Sequence, residues 1–217
     1  MKKGKHIYFV RHGESSSNND GILLGKHSQL TGNGRLQARI VASRILKIGA
    51  DAILASTYPR AKETADIIGG VVGLLVETSD LLIEIEMPSL FHGRHRDEPE
   101  ILKIADEIFE RRHEAGYRYS DEETLNEFRT RANDALNFLQ TYEAERICVV
   151  THGAFMRALF CSVLYGREFS GHEFNRALNS LFIDNTSITY FRWQPVWRDE
   201  KDKHWAVISW NDSAHLG

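Results

Sequence analysis

The apolar run His6-Ile7-Tyr8-Phe9-Val10, followed at once by Arg11-His12-Gly13-Glu14-Ser15, constrains this chain more than any other segment. The run has the length and the β-branched or aromatic content of a buried strand, so the polar pentapeptide falls just past a strand's carboxyl end. In open α/β sheets, ligands bind at that edge. The layout returns far downstream as Ile147-Cys148-Val149-Val150, then Thr151-His152-Gly153-Ala154, then an apolar helix through Phe155, Met156, Leu159, Phe160 and Val163. An imidazole with an ordinary pKa of about 6.5 is a competent nucleophile at neutral pH. A guanidinium beside it grips a phosphoryl group through two parallel contacts. Arg11 next to His12 therefore points to attack on phosphorus.

The stretches between these segments alternate strand and helix. Leu36, Ile40, Val41, Ile45 and Ile48 recur at helical spacing, with Gly49 as a C-terminal cap. Ala52-Ile53-Leu54-Ala55 reads as a second strand, and Pro59 fits the first turn of a helix carrying Ala61, Ala65 and Ile68. Leu74-Leu75-Val76 is a third strand candidate. This alternation predicts an α/β three-layer sandwich, with a mostly parallel central sheet and helices on both faces. In the tail, Ser187–Phe191 and Trp205–Ile208 are two alternating runs separated by a charged turn, Arg198 to Lys203, which predicts an antiparallel C-terminal hairpin.

Between Asp97 and Glu145, acids outnumber bases 14 to 6, and two amphipathic helices are legible: Ile101 to Ile108, and Leu125 to Leu139. We read about 85–145 as a helical lid insertion over the C-terminal edge of the sheet, within a single domain spanning 1–217. Its acidity reads as a solvated face.

Composition removes several function classes. With 42% hydrophobic residues, 26% charged residues and a formal net charge of −3, the chain has no basic field for nucleic acid or anionic lipid. The basic start Met1-Lys2-Lys3-Gly4-Lys5 precedes an apolar run that is too short for a signal peptide and is broken by Arg11. No run approaches the roughly 18 apolar residues of a membrane span, so a cytoplasmic protein is expected. Cys148 and Cys161 fall in apolar runs and read as reduced core thiols. Gly32-Asn33-Gly34 lacks the third glycine of a dinucleotide loop. In His92-Gly93-Arg94-His95-Arg96-Asp97 the arginines would repel a metal cation, so the segment reads as a surface loop, with Arg94 and Arg96 as candidates for a second anionic group on a substrate. Trp193, Trp197, Trp205 and Trp210 read as packing residues of the tail.

Four separated pieces share one pattern: Arg11-His12-Gly13-Glu14 with Asn18; Leu30-Thr31 with Gly34 and Gln37-Ala38; Ser56 with Arg60-Ala61 and Thr64; and Thr151-His152-Gly153. In these pieces the sequence resembles the histidine phosphatase superfamily, also called the phosphoglycerate mutase-like family. The resemblance implies that His12 becomes a phosphohistidine while Arg11, Arg60 and His152 surround the phosphoryl oxygens. Charge spread over three equatorial oxygens in a loose transition state needs such fixed positive partners. It further implies that the Gly13 carbonyl holds the proton of the other His12 nitrogen. A bound phosphate dianion would favour a protonated His152.

A leaving alkoxide must be protonated. The family pattern places the acid in a Leu-x-Glu context, which Leu82-Ile83-Glu84 fits, with Glu86 as the rival. Asn18 resembles a phosphate contact, although its Ser- and Asn-rich loop explains it equally well as a turn residue. The Ala154 amide, at a predicted helix start, is a further anion donor. The expected activity is metal- and cofactor-independent hydrolysis of a small-molecule phosphomonoester. The alternatives are a phosphoglycerate mutase, disfavoured because the paired-arginine, proline-rich insertion of those enzymes is missing, and a catalytically silent binding or scaffold protein of the same fold.

Overall fold

Six strands form one sheet in this computed structural model, which describes residues 4–196 and 199–217. β1 (Lys5–Arg11), β2 (Ala52–Ser56), β3 (Val76–Ser79) and β4 (Arg146–Thr151) pair in parallel, and β5 (Ile188–Val196) and β6 (Asp199–Asp212) extend the sheet antiparallel, giving the order β3-β2-β4-β1-β5-β6. The helices are α1 (Ser16–Asp20), α2 (Gly32–Ile48), α3 (Pro59–Val72), α4 (Pro99–Arg111), α5 (Leu125–Thr141), α6 (Gly153–Leu164) and α7 (Gly171–Ser180).

The central strands are buried on both faces, which is why they read as continuous apolar runs. Alternate residues serve different layers. Ile7, Phe9, Leu54, Ile147 and Val149 join a core with α5, α6 and α7, whereas Val10, Ile53, Ala55, Cys148 and Val150 join one with α2 and α3. The expected three-layer sandwich and C-terminal hairpin are both present. Cys148 and Cys161 are free and buried.

Connections leave adjacent strands in opposite directions: β1 leads to α2 on one face, and β4 leads to α6 on the other. This is the switch point at which an open α/β sheet forms its ligand crevice. Thr31 caps the start of α2 by accepting the Gly34 N–H, and Gly49 ends the helix in the left-handed region at φ 73°.

Three details differ from the sequence reading. The third strand begins at Val76 because Gly73, at φ 79°, and the bond from Leu74 N–H to the Gly69 carbonyl turn the chain first, leaving Leu75 exposed. α5 belongs to the main core through Phe128, Ala132, Ala135, Leu136 and Leu139. The segment that packs separately is shorter than 85–145, and it is centred on Phe91 and the Ile101, Ile104 and Ile108 face of α4. α7 escaped the hydrophobic pattern, although Ser170 and Glu173 form the capping box that announces it.

In the tail, Trp193 packs against Trp205 and Trp210 against Phe160, at ring distances of 5.4 and 5.0 Å. Trp197 and Arg198 lie outside the described residues. Among the described residues, no helix is long and apolar enough to cross a membrane.

Candidate active site

The parallel register pairs Arg11 with Thr151, so the next residue of each strand, His12 and His152, emerges side by side with ring centroids 5.1 Å apart. Both rings are buried. Arg60, in the first turn of α3 beyond the end of β2, donates from Nε to His12 Nε2 at 3.1 Å and from Nη1 to the Gly25 carbonyl at 2.8 Å. A guanidinium only donates, so His12 Nε2 carries a lone pair. Nδ1 carries the proton and donates it to the Gly13 carbonyl at 2.7 Å. This is the tautomer a nucleophilic imidazole needs.

Burial, followed by the Arg60 and Arg11 charges, pushes the His12 pKa well below its ordinary value. Burial, Arg60 and His12 do the same to His152. His152 Nε2 lies 2.8 Å from Ser56 Oγ, which also accepts the Tyr58 N–H at 3.1 Å. The Ser56 hydroxyl, with one donor and a second lone pair to spare, can donate to Nε2 or accept from it. Two buried nitrogens, His152 Nδ1 and Arg11 Nε, lack a hydrogen-bond partner among the described residues. Buried polar groups of this kind require an explanation, and for the Arg11 Nε–H, which only donates, a bound anion would supply it.

The two depressed histidines set a pH signature. In the unfolded chain each ring takes a proton near pH 6.5, whereas in the folded protein it does so only well below that. Stability is therefore full above about pH 6.5 and falls as pH drops toward the folded values, by up to about 1.4 kcal/mol per pH unit for each ring. Denaturant titrations between pH 7.5 and 5.5 should show a shallower loss in His12→Gln than in the wild type. Equal slopes would remove His12 from the titration.

Backbone packing holds the loop that carries His12. A Cβ on Gly13 would meet the Gly34 carbonyl oxygen at 2.4 Å, and one on Gly34 would meet that of Glu14 at 2.0 Å, so both glycines are required by close approach. Thr64 Oγ1 accepts the Gly13 N–H and donates to the Arg60 carbonyl, joining the two elements. Glu14 accepts from Thr31 and Asn33 at the α2 start. Asn185, which sequence reasoning missed, donates to the His12 carbonyl at 2.8 Å.

Glu84 reaches the start of α6, accepting from the Ala154 and Phe155 amides at 3.0 and 2.9 Å and from Ile85 at 3.0 Å. The Ala154 N–H is thus engaged by Glu84. The Glu84 charge acts on Arg11 and Arg60, opposing the effect of their burial. Arg131, also missed, anchors this acid's segment by donating to the Ile83 and Glu84 carbonyls and pairing with Glu123. A lone arginine inside an amphipathic helix gives no signal of that role. Glu86 is exposed, with Tyr58 Oη 3.5 Å away.

A cavity of about 310 Å3 opens over His12, and Arg11, Asn18, Arg60, Glu84 and Glu86 line it. Asn18 accepts from the Ser15 N–H and hydroxyl, closing a turn at the rim. Arg94 and Arg96 are not brought to it: Arg94 pairs with Glu98 and Glu100, and Arg96 donates to the Ser17 and Asn18 carbonyls. Among the described residues, no three His, Cys, Asp or Glu side chains cluster in a way that could hold a metal.

A Hydrogenobacter thermophilus protein provisionally named phosphoserine phosphatase 2 is 28% identical over 188 residues, covering 85% of this chain and 88% of its own. A probable phosphoglycerate mutase of an Enterobacter species is 32% identical over 163 residues, covering 73% of this chain and 74% of its own. Among solved structures, a mycobacterial glucosyl-3-phosphoglycerate phosphatase has the same fold with a TM-score of 0.75, at 21% identity, over 97% of this chain and 100% of that one. Residues 7–213 match the histidine phosphatase superfamily (branch 1), and with the two histidines and two arginines assembled at the sheet's switch point, the chain belongs to that superfamily.

Proposed function

We propose that this protein is a phosphomonoester hydrolase that works through a phosphohistidine on His12, without a metal. The observation that carries this reading is the His12 ring itself, with its Nδ1 proton tied to the Gly13 carbonyl and its Nε2 lone pair turned toward the Arg60 guanidinium at the cavity floor.

In the first step, Nε2 attacks phosphorus, the bond from phosphorus to the ester oxygen breaks, and Glu84 supplies the proton that the departing alkoxide takes up. Arg60 and Arg11 neutralise the equatorial oxygens, so the Arg60 Nε bond passes from His12 to the phosphoryl group. Glu84 must leave the α6 amides to reach the leaving oxygen, which frees the Ala154 N–H for a phosphoryl oxygen. In the second step, the Glu84 carboxylate takes a proton from water, the hydroxide adds to phosphorus, and the bond to Nε2 breaks. His12 returns to its neutral tautomer.

Incubating the protein with a 32P-labelled phosphomonoester, quenching in alkali and mapping peptides should place acid-labile, base-stable label on His12. Label on another residue, or none with any donor, would sink the reading. Because one relative is named as a mutase, released phosphate is measured alongside: transfer to an added phosphoglycerate in place of release would identify the rival activity.

A further inference from the structure

Beyond the phosphoryl seat, the cavity over His12 changes character. Leu23, Leu24, Ile85, Met87 and Phe91 line it there, with Leu23 and Met87 packed on the cluster that holds Phe91. A substrate with a second anionic group would need a second fixed cation here, since an anion moved against apolar walls loses its hydration uncompensated. The arginines near this end are committed elsewhere: Arg94 to Glu98 and Glu100 at 2.6 and 2.9 Å, and Arg96 to the Ser17 and Asn18 carbonyls at 2.7 and 3.3 Å. Arg11 and Arg60 belong to the phosphoryl seat. The other basic side chains at the cavity, Lys26 and His92, are exposed, and the acids Glu86 and Asp121 line the same cavity.

We infer that the leaving group this site selects is an uncharged apolar skeleton, alkyl or aryl, and not a carboxylated one such as a sugar acid or an amino acid. The inference rests on the phosphoryl seat proposed above, and its test is built to fail separately. Straight-chain alkyl phosphates have leaving groups of nearly equal basicity, so differences among ethyl, butyl and hexyl phosphate report burial of the chain and not chemistry. Each methylene taken out of water should raise kcat/KM about three- to fourfold until the wall is filled. The matching alkyl phosphonates, whose carbon–phosphorus bond is not hydrolysed, should show the same climb in affinity by calorimetry.

Leu24→Asn and Met87→Gln, both in the cavity lining, should each cut the ratio of hexyl phosphate to glycerol phosphate kcat/KM at least tenfold. Using two variants guards against one of them disturbing the cover. A flat series in both assays overturns the inference, as does phosphoserine or 3-phosphoglycerate outrunning hexyl phosphate. A drop of tenfold or more for 3-phosphoglycerate in Lys26→Ala or in His92→Ala also overturns it, because that side chain would then be the second anion's partner. Phosphonate affinities that climb without any ester being hydrolysed uphold the inference and instead defeat the hydrolase reading.

Discussion

Replacing His12 by alanine should lower kcat/KM for every ester the protein hydrolyses by on the order of 10^4-fold or more, with KM moving far less than kcat. The size follows from what the ring supplies. In the proposed mechanism its Nε2 bonds to phosphorus; the ring is held neutral because burial, Arg60 and Arg11 disfavour its proton, and its tautomer is set by the Gly13 carbonyl. The neighbouring Arg11 and Arg60 only donate and cannot replace that lone pair. Arg60→Ala should cost less, roughly 10^2- to 10^3-fold, because it removes one charge-stabilising partner and leaves the nucleophile in place. Steady-state kinetics on purified variants with wild-type circular dichroism and melting behaviour would check both. A His12→Ala protein within tenfold of wild type would mean that another group attacks phosphorus.

The second large effect is structural. Gly34→Ala places a carbon 2.0 Å from the Glu14 carbonyl oxygen, and both partners are backbone, so neither can swing aside. Overpacking of this kind costs about 1–3 kcal/mol and occasionally more. At the upper end, a melting temperature some 6–12 °C lower is expected for a chain of this length. The strain falls on the turn that carries His12, because Glu14, whose backbone the added carbon meets, lies two residues beyond it. Activity should therefore drop by about 10^2-fold even at temperatures where the variant stays folded, as expected for a nucleophile displaced by a fraction of an ångström to an ångström. Gly70→Ala is the matched control. It lies inside α3 with nothing within 4 Å of the added carbon, so it should stabilise by roughly 0.5–1 kcal/mol and leave turnover alone. Differential scanning calorimetry on both variants decides the matter: equal melting temperatures would show that the contact between the two turns can relax.

Much of this architecture was legible before any coordinates. Ile7, Phe9, Ile147 and Val149 announce buried strands because a strand covered on both faces has no polar side. His12 and His152 announce a site because each follows such a strand. The charge of the 97–145 segment was a poorer guide. It marks which surfaces meet water and does not say that the apolar stripe of α5 packs into the main core while that of α4 does not. Arg94 and Arg96 show the same limit, since a sequence lists cations without saying which carbonyls or carboxylates take them up.

By itself, then, the sequence determined the strand–turn–helix units and the placing of His12 beside the Arg11 guanidinium at a strand's end, because local hydrophobic period and residue chemistry suffice for these. Only the tertiary structure decided that the register of β1 on β4 sets the two imidazoles 5.1 Å apart and that Arg60 caps His12 Nε2. It also decided that Glu84, and not Glu86, reaches the amides at the start of α6. Those are relations between elements brought together by parallel pairing. Separations such as the 70 residues between Ala154 and Glu84 leave no local pattern from which to read them.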